Sequence, residues 1–396
     1  MSSRLSYVWL ATRRAVSAGT AAGLLRAFGS PEAVFAADRA ALTTARDCPL
    51  RKVQVDALCA KSTDEAEHIV AQCARDGIQI ITLGDSAYPD RLRAIENPPV
   101  VLYVRGKWPD FDVTPGIAVV GTREATPYGL QTAERIGSAL GKAGFITVSG
   151  MALGNDGAAH RGALRAGGLT VAVLAGGVDV CYPPQHRSLM GDILLSGAII
   201  SEYPPGTEPR GEHYHARNRI ISGLSVAAVI VEAPCYRSGA LITARAALDQ
   251  GRDVYAVPGA LDAPQSAACN ELIEKGEAAL LRSPEALVRT YSGLLHKQTG
   301  PYRPPRPMRA PKKTQAVRQT PHKRETPASP QSGTLPDSLS GDERRIAELV
   351  QQGVGTPEDL IERCGLPAPR VMSLITMLEM DGILRREKGR LVMGCQ

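Results

Sequence analysis

The sequence predicts an α/β fold, a doubly wound and mostly parallel sheet with a small helical domain before it and a winged-helix domain after it. Between residue 117 and about residue 290, short runs of Val, Ile and Ala recur with helical stretches between them. The runs are apolar without alternation, which is typical of strands covered on both faces, and helical connections favour right-handed parallel crossovers. The predicted strands are 117–120, 145–148, 170–174, 198–200, 226–231, 253–257 and 278–281. In such Rossmann-like sheets the ligand binds beyond the carboxyl ends of the strands.

The residues before the sheet are predicted to form a helical domain. Within residues 1–76, short helical stretches are broken by glycine and proline. This domain is either a helix-hairpin-helix or sterile-alpha-motif-like unit, which contacts a nucleic-acid backbone through helix N-termini, or a small packing domain. Residues 78–83 and 100–104 are predicted strands that lead into the sheet domain, which is predicted to span residues 77–295.

The positive charge of the chain is concentrated in one segment. The net charge is +6, but residues 296–338 alone carry +7 together with nine prolines, which leaves −1 for the remainder. This composition cannot support a hydrophobic core and predicts an extended basic linker. The linker is either a plain spacer or a weak, salt-sensitive contact with nucleic acid. Any polyanion site in the folded part must therefore be a local patch.

Residues 339–396 are predicted to form a winged-helix domain. Its predicted helices are 342–351, 357–364 and 368–381. A hairpin with a basic turn at 385–390 follows them. The third helix, which would read a major groove, has Arg370 as its only basic residue. Docking of a protein and binding of duplex DNA therefore both remain open for this domain.

The composition also argues against several classes of protein. The eight cysteines form no C-x-x-C pair, so neither a zinc knuckle nor a thioredoxin motif is present, and we expect reduced thiols. The first residues lack the apolar core of a signal peptide, and no stretch approaches 18 continuous apolar residues. We therefore expect a cytoplasmic protein that needs no metal, cofactor or membrane.

Three loops of small residues follow predicted strands and form the first candidate binding site. The dinucleotide fingerprint Gly-x-Gly-x-x-Gly is absent, because Arg123 stands where its second glycine would be. Backbone N–H groups, helix N-termini and a fixed cation are the groups that bind phosphate. The candidate residues in these loops are Gly121, Thr122, Arg123, Ser149, Gly150, Met151, Ser238 and Gly239. The alternative is that each loop is only a tight turn from strand to helix.

A helical segment at 213–225 supplies a second group of candidates. Arg217 and Arg219 are fork donors suited to phosphate, and Asn218 can bind an amide or a base edge. Tyr214 offers a ring face on which a base could stack. The alternative for either arginine is an ion pair within the fold, and the candidate acids are Glu202, Glu212 and Glu232.

An ordered series of motifs runs through the middle of the chain. The motifs are Ile117–Gly129, Val148–Leu164, Gly176–Asp179, Tyr182-Pro183, Ile200–Pro204, Arg217–Ser225, Glu232–Ala244 and Val257–Gly259, with Tyr88-Pro89 and Asn97–Pro99 upstream. Together they resemble the DNA processing protein A family (DprA, also named Smf). The resemblance implies a Rossmann-like domain that binds single-stranded DNA without sequence specificity, forms a homodimer, and loads the RecA recombinase onto the strand in natural transformation and recombination.

The resemblance also implies roles for particular residues and exposes three departures. Arg123, the Ser149-Gly150 loop and the Arg217–Arg219 segment would contact DNA, and Tyr214 stands where the family usually has a stacking phenylalanine. The departures from the family pattern are Leu153 for an arginine, Asn155 for an isoleucine, and Glu271 for an arginine. Loss of two cations predicts weaker or more salt-sensitive binding.

Two other functions remain as alternatives. A nucleotide-processing, phosphoribohydrolase-like enzyme could use an acid/base set, for which the candidates are Asp156, His160, Asp179 and Glu202. No nucleophile elbow, Walker lysine or metal-ligand cluster supports that function, and His160 is expected to be a structural hydrogen-bond partner of Asp156. The other alternative is a regulator that binds duplex DNA through the winged helix. We expect a DNA-binding protein without catalytic activity.

Overall fold

The computed structural model describes residues 2–45, 48–295, 341–354, 356–364, 366, 371, 374–375, 378, 383–387 and 390–393. These residues fall into two compact units, one on each side of residue 307.

The first unit is built on a nine-stranded sheet, and all the predicted strands are present. They are β1 (Gln79–Thr82), β2 (Val101–Gly106), β3 (Gly116–Val120), β4 (Ile146–Ser149), β5 (Thr170–Val173), β6 (Ala198–Ser201), β7 (Ser225–Ile230), β8 (Asp253–Ala256) and β9 (Ala279–Leu280). Their order across the sheet is β1-β2-β6-β5-β4-β3-β7-β8-β9. In this order, every neighbouring pair from β6 to β9 is parallel, whereas the pairs β1–β2 and β2–β6 are antiparallel. The predicted α/β class with a mostly parallel sheet is confirmed.

Helices connect the strands and cover the sheet. They are α1 (Ser3–Thr12), α2 (Ala18–Phe28), α3 (Pro31–Ala36), α4 (Arg39–Thr43), α5 (Lys52–Cys59), α6 (Asp64–Arg75), α7 (Asp90–Arg93), α8 (Pro127–Ala143), α9 (Asn155–Arg165), α10 (Arg187–Ser196), α11 (Gly211–Gly223), α12 (Gly239–Asp249), α13 (Ala267–Glu274) and α14 (Pro284–Leu295). The side chains of β3 alternate between two buried clusters, with Ile117 and Val119 in one and Ala118 and Val120 in the other. Both faces of the sheet are therefore covered, as the unbroken apolar runs indicated.

The strand order fixes where a ligand can bind. The chain builds β3, β4, β5 and β6 outward in one direction and then returns to place β7 on the other side of β3. At such a reversal the loops after adjacent strands separate and leave a crevice at the carboxyl edge of the sheet. The loops after β3, β4 and β7 are the loops whose small residues stood out in the sequence.

The helices of residues 1–76 share a core with the sheet. Trp9 and Leu24 belong to the same buried cluster as Val101, Tyr103 and Ile199 of β2 and β6. These helices therefore pack directly on one end of the sheet, which is the role expected of a packing domain. Contact between these helices and nucleic acid, and the boundary at residue 76, stay predictions.

Helices α8 and α9 approach each other so closely that glycine is required at the contact. A Cβ atom on Gly137 of α8 would overlap the carbonyl oxygen of Ala159 in α9, and one on Gly162 would overlap that of Glu134.

We expect Gly137→Ala to lower the free energy of unfolding by about 1–3 kcal/mol, because the clash is with rigid backbone. Urea denaturation measures this change. The matched control is Gly293→Ala in α14, where nothing lies within 4 Å of the added methyl group. That control should be neutral or stabilising by up to about 1 kcal/mol, and equal losses in both variants would contradict the close-contact explanation.

The second unit contains α15 (Gly341–Gln351), α16 (Pro357–Cys364) and the antiparallel hairpin β10 (Leu384–Glu387) and β11 (Arg390–Met393). Ile346, Leu360, Leu384 and Leu391 are buried in one cluster that joins these elements. The predicted helix at 368–381 and the predicted linker at 296–338 lie largely or wholly outside the described residues. In the part of the chain that the structure describes, no helix has both the length and the apolar character needed to cross a membrane.

Candidate nucleic-acid interface

The loops after β3 and β7, together with α11, line a cavity of about 620 Å³ at the carboxyl edge of the sheet. Eight of the predicted binding residues line it, namely Gly121, Thr122, Arg123, Tyr214, Arg217, Asn218, Ser238 and Gly239. Four do not, namely Ser149, Gly150, Met151 and Arg219. Gly150 instead lines a small adjoining cavity with Tyr214 and Arg217. The structure thus brings together residues from three separate parts of the sequence.

Arg123 and Tyr214 place a positive charge beside an aromatic ring at the cavity. Arg123 is exposed, and its guanidinium carbon lies 4.8 Å from the centroid of the half-buried Tyr214 ring. The guanidinium carbon of Arg217 lies 5.8 Å from the same centroid. Burial raises the pKa of the Tyr214 hydroxyl, and the two arginines oppose that shift. The tyrosine is therefore neutral at ordinary pH. Its ring makes cation–π contacts with both arginines, of which Arg123 is exposed.

Arg217 is a buried structural residue with one edge in the cavity. Its Nη1 donates hydrogen bonds to the carbonyl oxygens of Gly150 at 2.8 Å and Val173 at 2.5 Å, and its Nε donates to Asn218 Oδ1 at 3.0 Å. Burial lowers the pKa of the guanidinium, and the charge of Asp156 opposes that shift. Arg217 therefore joins the loop after β4 to the end of β5, and this use of its donors limits what remains for a phosphate.

Asn218 connects Arg217 to the start of α12. Its Oδ1 accepts from Arg217 Nε, and its Nδ2 donates to the carbonyl oxygen of Gly239 at 3.0 Å. Each end of the amide already makes one hydrogen bond, which leaves one lone pair and one N–H for a ligand. The base-edge contact that the sequence suggested stays a prediction. Gly239 itself is exposed and lines the cavity with Ser238. The first turn of α12 therefore presents the positive end of a helix dipole to the cavity.

Arg219 lies at a different site. It forms a bidentate ion pair with Glu202, at 2.9 Å and 2.7 Å, and its Nε donates to the carbonyl oxygen of Asn97 at 2.9 Å. It lines a separate cavity of about 440 Å³ between the first helices and the sheet. Two residues along a helix are rotated by about 200°, so Arg217 and Arg219 face opposite sides of α11. Arg219 therefore forms the ion pair within the fold that was its alternative, and it does not line the cavity that Arg217 lines. Its contact with DNA stays a prediction.

Two predicted site residues in the loop after β4 have buried side chains. Ser149 is buried, and its hydroxyl donates to the carbonyl oxygen of Val119 at 2.6 Å. Met151 is buried with a φ of 55°, and its carbonyl oxygen accepts from Nδ1 of His186 at 2.9 Å. Neither side chain lines the cavity, and the contact of Ser149 and Met151 with DNA stays a prediction.

The amides expected to bind phosphate are occupied by a carboxylate of the protein. Asp156 Oδ1 accepts from the Gly121 N–H at 3.3 Å, and its Oδ2 accepts from the Gly150 N–H at 3.1 Å. Its side chain is buried in the first turn of α9. Burial raises the pKa of this carboxyl group, while Arg217 and the backbone N–H groups lower it. Sequence reasoning missed this contact, and the only signal for it was an acidic residue in the first turn of the helix, which is an ordinary feature of helix starts.

A second buried carboxylate serves the start of α8. Glu232 accepts from the Thr126 N–H at 3.0 Å and also from its hydroxyl, and Asn155 Nδ2 lies 3.4 Å from Glu232 Oε2. A Cβ atom on Gly129 would overlap the Glu232 carboxylate and would have to displace it. Asn155, which departs from the family pattern, thus has a structural partner. Sequence reasoning named Glu232 only as a partner for an arginine, and its pairing with α8 was missed.

The four residues of the possible acid/base set are not assembled into one site. His160 bonds through Nδ1 to the Thr170 hydroxyl at 2.7 Å, so the expected bond to Asp156 is wrong. Burial lowers the pKa of His160 to about 3, which keeps the imidazole neutral. Asp179 accepts from the Gly206 N–H at 2.8 Å, and Glu202 is paired with Arg219. Each of the four side chains is committed to a different partner.

The two residues that replace arginines of the family pattern lie at the surface. Leu153 is 37% exposed, and Glu271 forms an ion pair at 2.7 Å with Lys275, which follows the last residue of α13. Neither side chain lines the cavity. Their effect on DNA affinity stays a prediction.

A family model described as DNA recombination-mediator protein A matches residues 79–292, more than half of the chain. The chain belongs to the DNA recombination-mediator protein A family. A second model, the DprA winged helix domain, matches residues 327–390, which confirms the predicted C-terminal fold in this family member. The resemblance found in the motifs is thereby confirmed.

Individual proteins agree with this family assignment. Protein Smf of Synechocystis sp. is 43% identical over 212 residues. This match covers 53% of this chain and 53% of that protein, so the chain spans only about half the length of this relative. Protein Smf of Escherichia coli is 33% identical over 317 residues, covering 76% of this chain and 74% of that protein. The X-ray structure of DNA processing protein A (DprA) from Streptococcus pneumoniae is similar with a TM-score of 0.58 and 30% identity, covering 72% of this chain and 97% of that one.

Proposed function

We propose that this family member binds single-stranded DNA without sequence specificity in the cavity at the carboxyl edge of its sheet. The observation that carries the proposal is the exposed Arg123 lying 4.8 Å from the face of Tyr214 at that cavity. A cation beside an aromatic ring matches the alternation of phosphate and base along a single strand.

Each component of the cavity has a counterpart in a nucleic-acid strand. Arg123 and the first turn of α12 are suited to backbone phosphates, and Tyr214 is suited to stacking with an unpaired base. Phosphates are the same at every position, and every base has a π face. Binding by these groups should therefore be insensitive to sequence, and duplex DNA, whose bases are stacked internally, should bind more weakly.

Salt dependence tests this proposal. We expect the full-length protein to bind a fluorescent oligo-dT strand, and Arg123→Ala to weaken binding about tenfold and to reduce the slope of log affinity against log salt by about 0.7. Fluorescence anisotropy at several salt concentrations measures both quantities. The charge-matched control is Arg289→Ala, since Arg289 is exposed on α14 and lines a different cavity. Equal losses in both variants, or no loss in either, would remove Arg123 from the site.

We further propose that the bound strand is handed to the RecA recombinase in natural transformation and recombination, by a homodimeric, cytoplasmic protein without catalytic activity. Membership of a recombination-mediator family supports the first part. Commitment of Asp156, His160, Asp179 and Glu202 to separate partners supports the absence of catalysis. Light scattering of the full-length protein tests the dimer. Co-purification of recombinase with and without oligo-dT tests the handover.

A further inference from the structure

Two buried carboxylates occupy positions where a Rossmann-like sheet ordinarily accepts the phosphate of a small nucleotide. We infer that Asp156 and Glu232 determine specificity, because they exclude free nucleotides from the loops and leave the cavity to a DNA strand that passes its mouth. This inference rests on the proposed function and extends it by naming the ligands that the site rejects.

Asp156 closes the first position. Its two oxygens accept from the amides of Gly121 and Gly150, one from each of the loops that follow β3 and β4. The carboxylate is buried, and Arg217 provides the nearby positive charge. A terminal phosphate that entered here would have to break both hydrogen bonds and lie against a buried carboxylate. The like charges and the lost bonds both oppose its entry.

Glu232 closes the second position, at the N-terminus of α8. Thr126 donates to it from both its N–H and its hydroxyl, and Asn155 contributes its amide. The carboxylate therefore takes donors that a helix N-terminus would otherwise offer to an external anion. Gly129 allows this approach, because a side chain there would overlap the carboxylate.

Asp156 also shapes the charge of the cavity. Asp156 offsets the charge of the buried Arg217, so the inner part of the cavity holds a compensated pair. Arg123 lies further out and is exposed above the ring of Tyr214. The positive charge offered to a ligand is thus displaced from the loops toward the mouth. A phosphodiester crossing the mouth can reach Arg123 without entering the loops, whereas a terminal phosphate that must dock in the loops cannot bind.

The test is to remove one carboxylate and ask whether phosphate takes its place. We expect wild-type full-length protein to show no saturable stabilisation by inorganic phosphate or thymidine monophosphate in thermal unfolding. Asp156→Ala should be less stable without ligand, and both compounds should raise its Tm saturably. Its affinity for thymidine monophosphate, measured by calorimetry, should exceed that of wild type by at least about tenfold. This factor corresponds to the free energy of one charge-assisted hydrogen bond.

The matched control is Asp179→Ala. Asp179 also accepts a backbone N–H, from Gly206 at 2.8 Å, but it is exposed and does not line the cavity. This variant should gain no response to phosphate. If Asp156→Ala fails to fold, Asp156→Asn provides the test, because the amide keeps the shape but loses the charge and one acceptor. Folded variants of Asp156 without a phosphate response, or saturable binding of thymidine monophosphate by wild type, would overturn the inference.

The outcome separates this inference from the proposed function. Oligo-dT binding by wild type reports on the function alone, and phosphate binding by the Asp156 variant reports on the exclusion alone. A wild type that binds oligo-dT and also binds thymidine monophosphate would retain the function and overturn the exclusion. If wild type binds neither oligo-dT nor thymidine monophosphate and the Asp156 variant gains phosphate binding, the proposed function is overturned and the exclusion is retained.

Discussion

Arg217→Ala is expected to lower the free energy of unfolding by about 3–5 kcal/mol, the largest effect of any substitution proposed for this cavity. The guanidinium makes three hydrogen bonds that join the loop after β4, the end of β5 and Asn218. Its removal takes this donor from two carbonyl oxygens and takes from Asp156 the positive charge that favours its ionised form. An uncompensated buried charge is costlier than the loss of the hydrogen bonds themselves.

Urea denaturation, repeated at pH 7 and pH 5, measures this effect. Burial already raises the pKa of Asp156, and loss of Arg217 raises it further. A carboxyl group with a raised native pKa destabilises the fold as pH rises through the interval above its unfolded pKa. The loss caused by Arg217→Ala should therefore be smaller at pH 5 than at pH 7.

Two further variants identify the cause. Arg217→Lys should recover only part of the loss, because an ammonium group cannot reproduce the planar fork that bonds two carbonyls and Asn218. In Asp156→Asn/Arg217→Ala, the second substitution should cost less than it does alone, since the carboxylate charge is already gone. Strict additivity of the two substitutions would show that the Asp156 charge is not the source of the loss.

Arg123→Ala/Tyr214→Ala is expected to weaken oligo-dT binding by about 30-fold or more while the fold remains intact. Stacking of a base on an aromatic ring contributes about 1–3 kcal/mol, and the phosphate contact adds to it. Arg123 is exposed and Tyr214 half-buried, so their removal disturbs little packing. Anisotropy with oligo-dT measures the affinity, and circular dichroism checks the fold.

The single substitutions show whether the two side chains act together. Because the guanidinium lies over the ring, Tyr214→Ala also removes a group that orients Arg123, and the two effects should not be additive. Tyr214→Phe should retain most of the affinity, since a phenyl ring stacks as well. The control is Tyr128→Ala, because Tyr128 is 48% exposed and bonds to the Pro258 carbonyl oxygen outside the cavity. A comparable loss in that control, or in Tyr214→Phe, would contradict base stacking by Tyr214.

Most of the architecture could be predicted from the sequence because the strands are short, apolar and separated by helical spacers. Each predicted strand of the sheet is present, from β1 to β9, with ends that differ by at most two residues. The loops that meet at the site could also be predicted, since adjacent parallel strands place their carboxyl ends at one edge. The third helix of the winged-helix unit lies largely outside the described residues, so its predicted bounds stay untested.

The contacts at the site were less predictable, because they depend on which donor meets which acceptor. Asp156 is an ordinary helix-start residue in the sequence, and only the convergence of two loops lets its carboxylate take the amides of Gly121 and Gly150. Arg217 and Arg219 look equivalent as neighbours in one motif. The rotation of α11 buries one beneath the cavity and pairs the other with Glu202 on the far side.

The sequence by itself determined the α/β sheet, the edge at which a ligand would bind, and the candidacy of Arg123 and Tyr214, because periodicity and residue type are local properties of the chain. Only the tertiary structure decided which anion occupies the backbone amides. That choice depends on distances of about 3 Å between groups far apart in sequence. The backbone amides that the sequence offered to an external phosphate are already bound by Asp156, whereas Arg123 lies exposed at the same cavity.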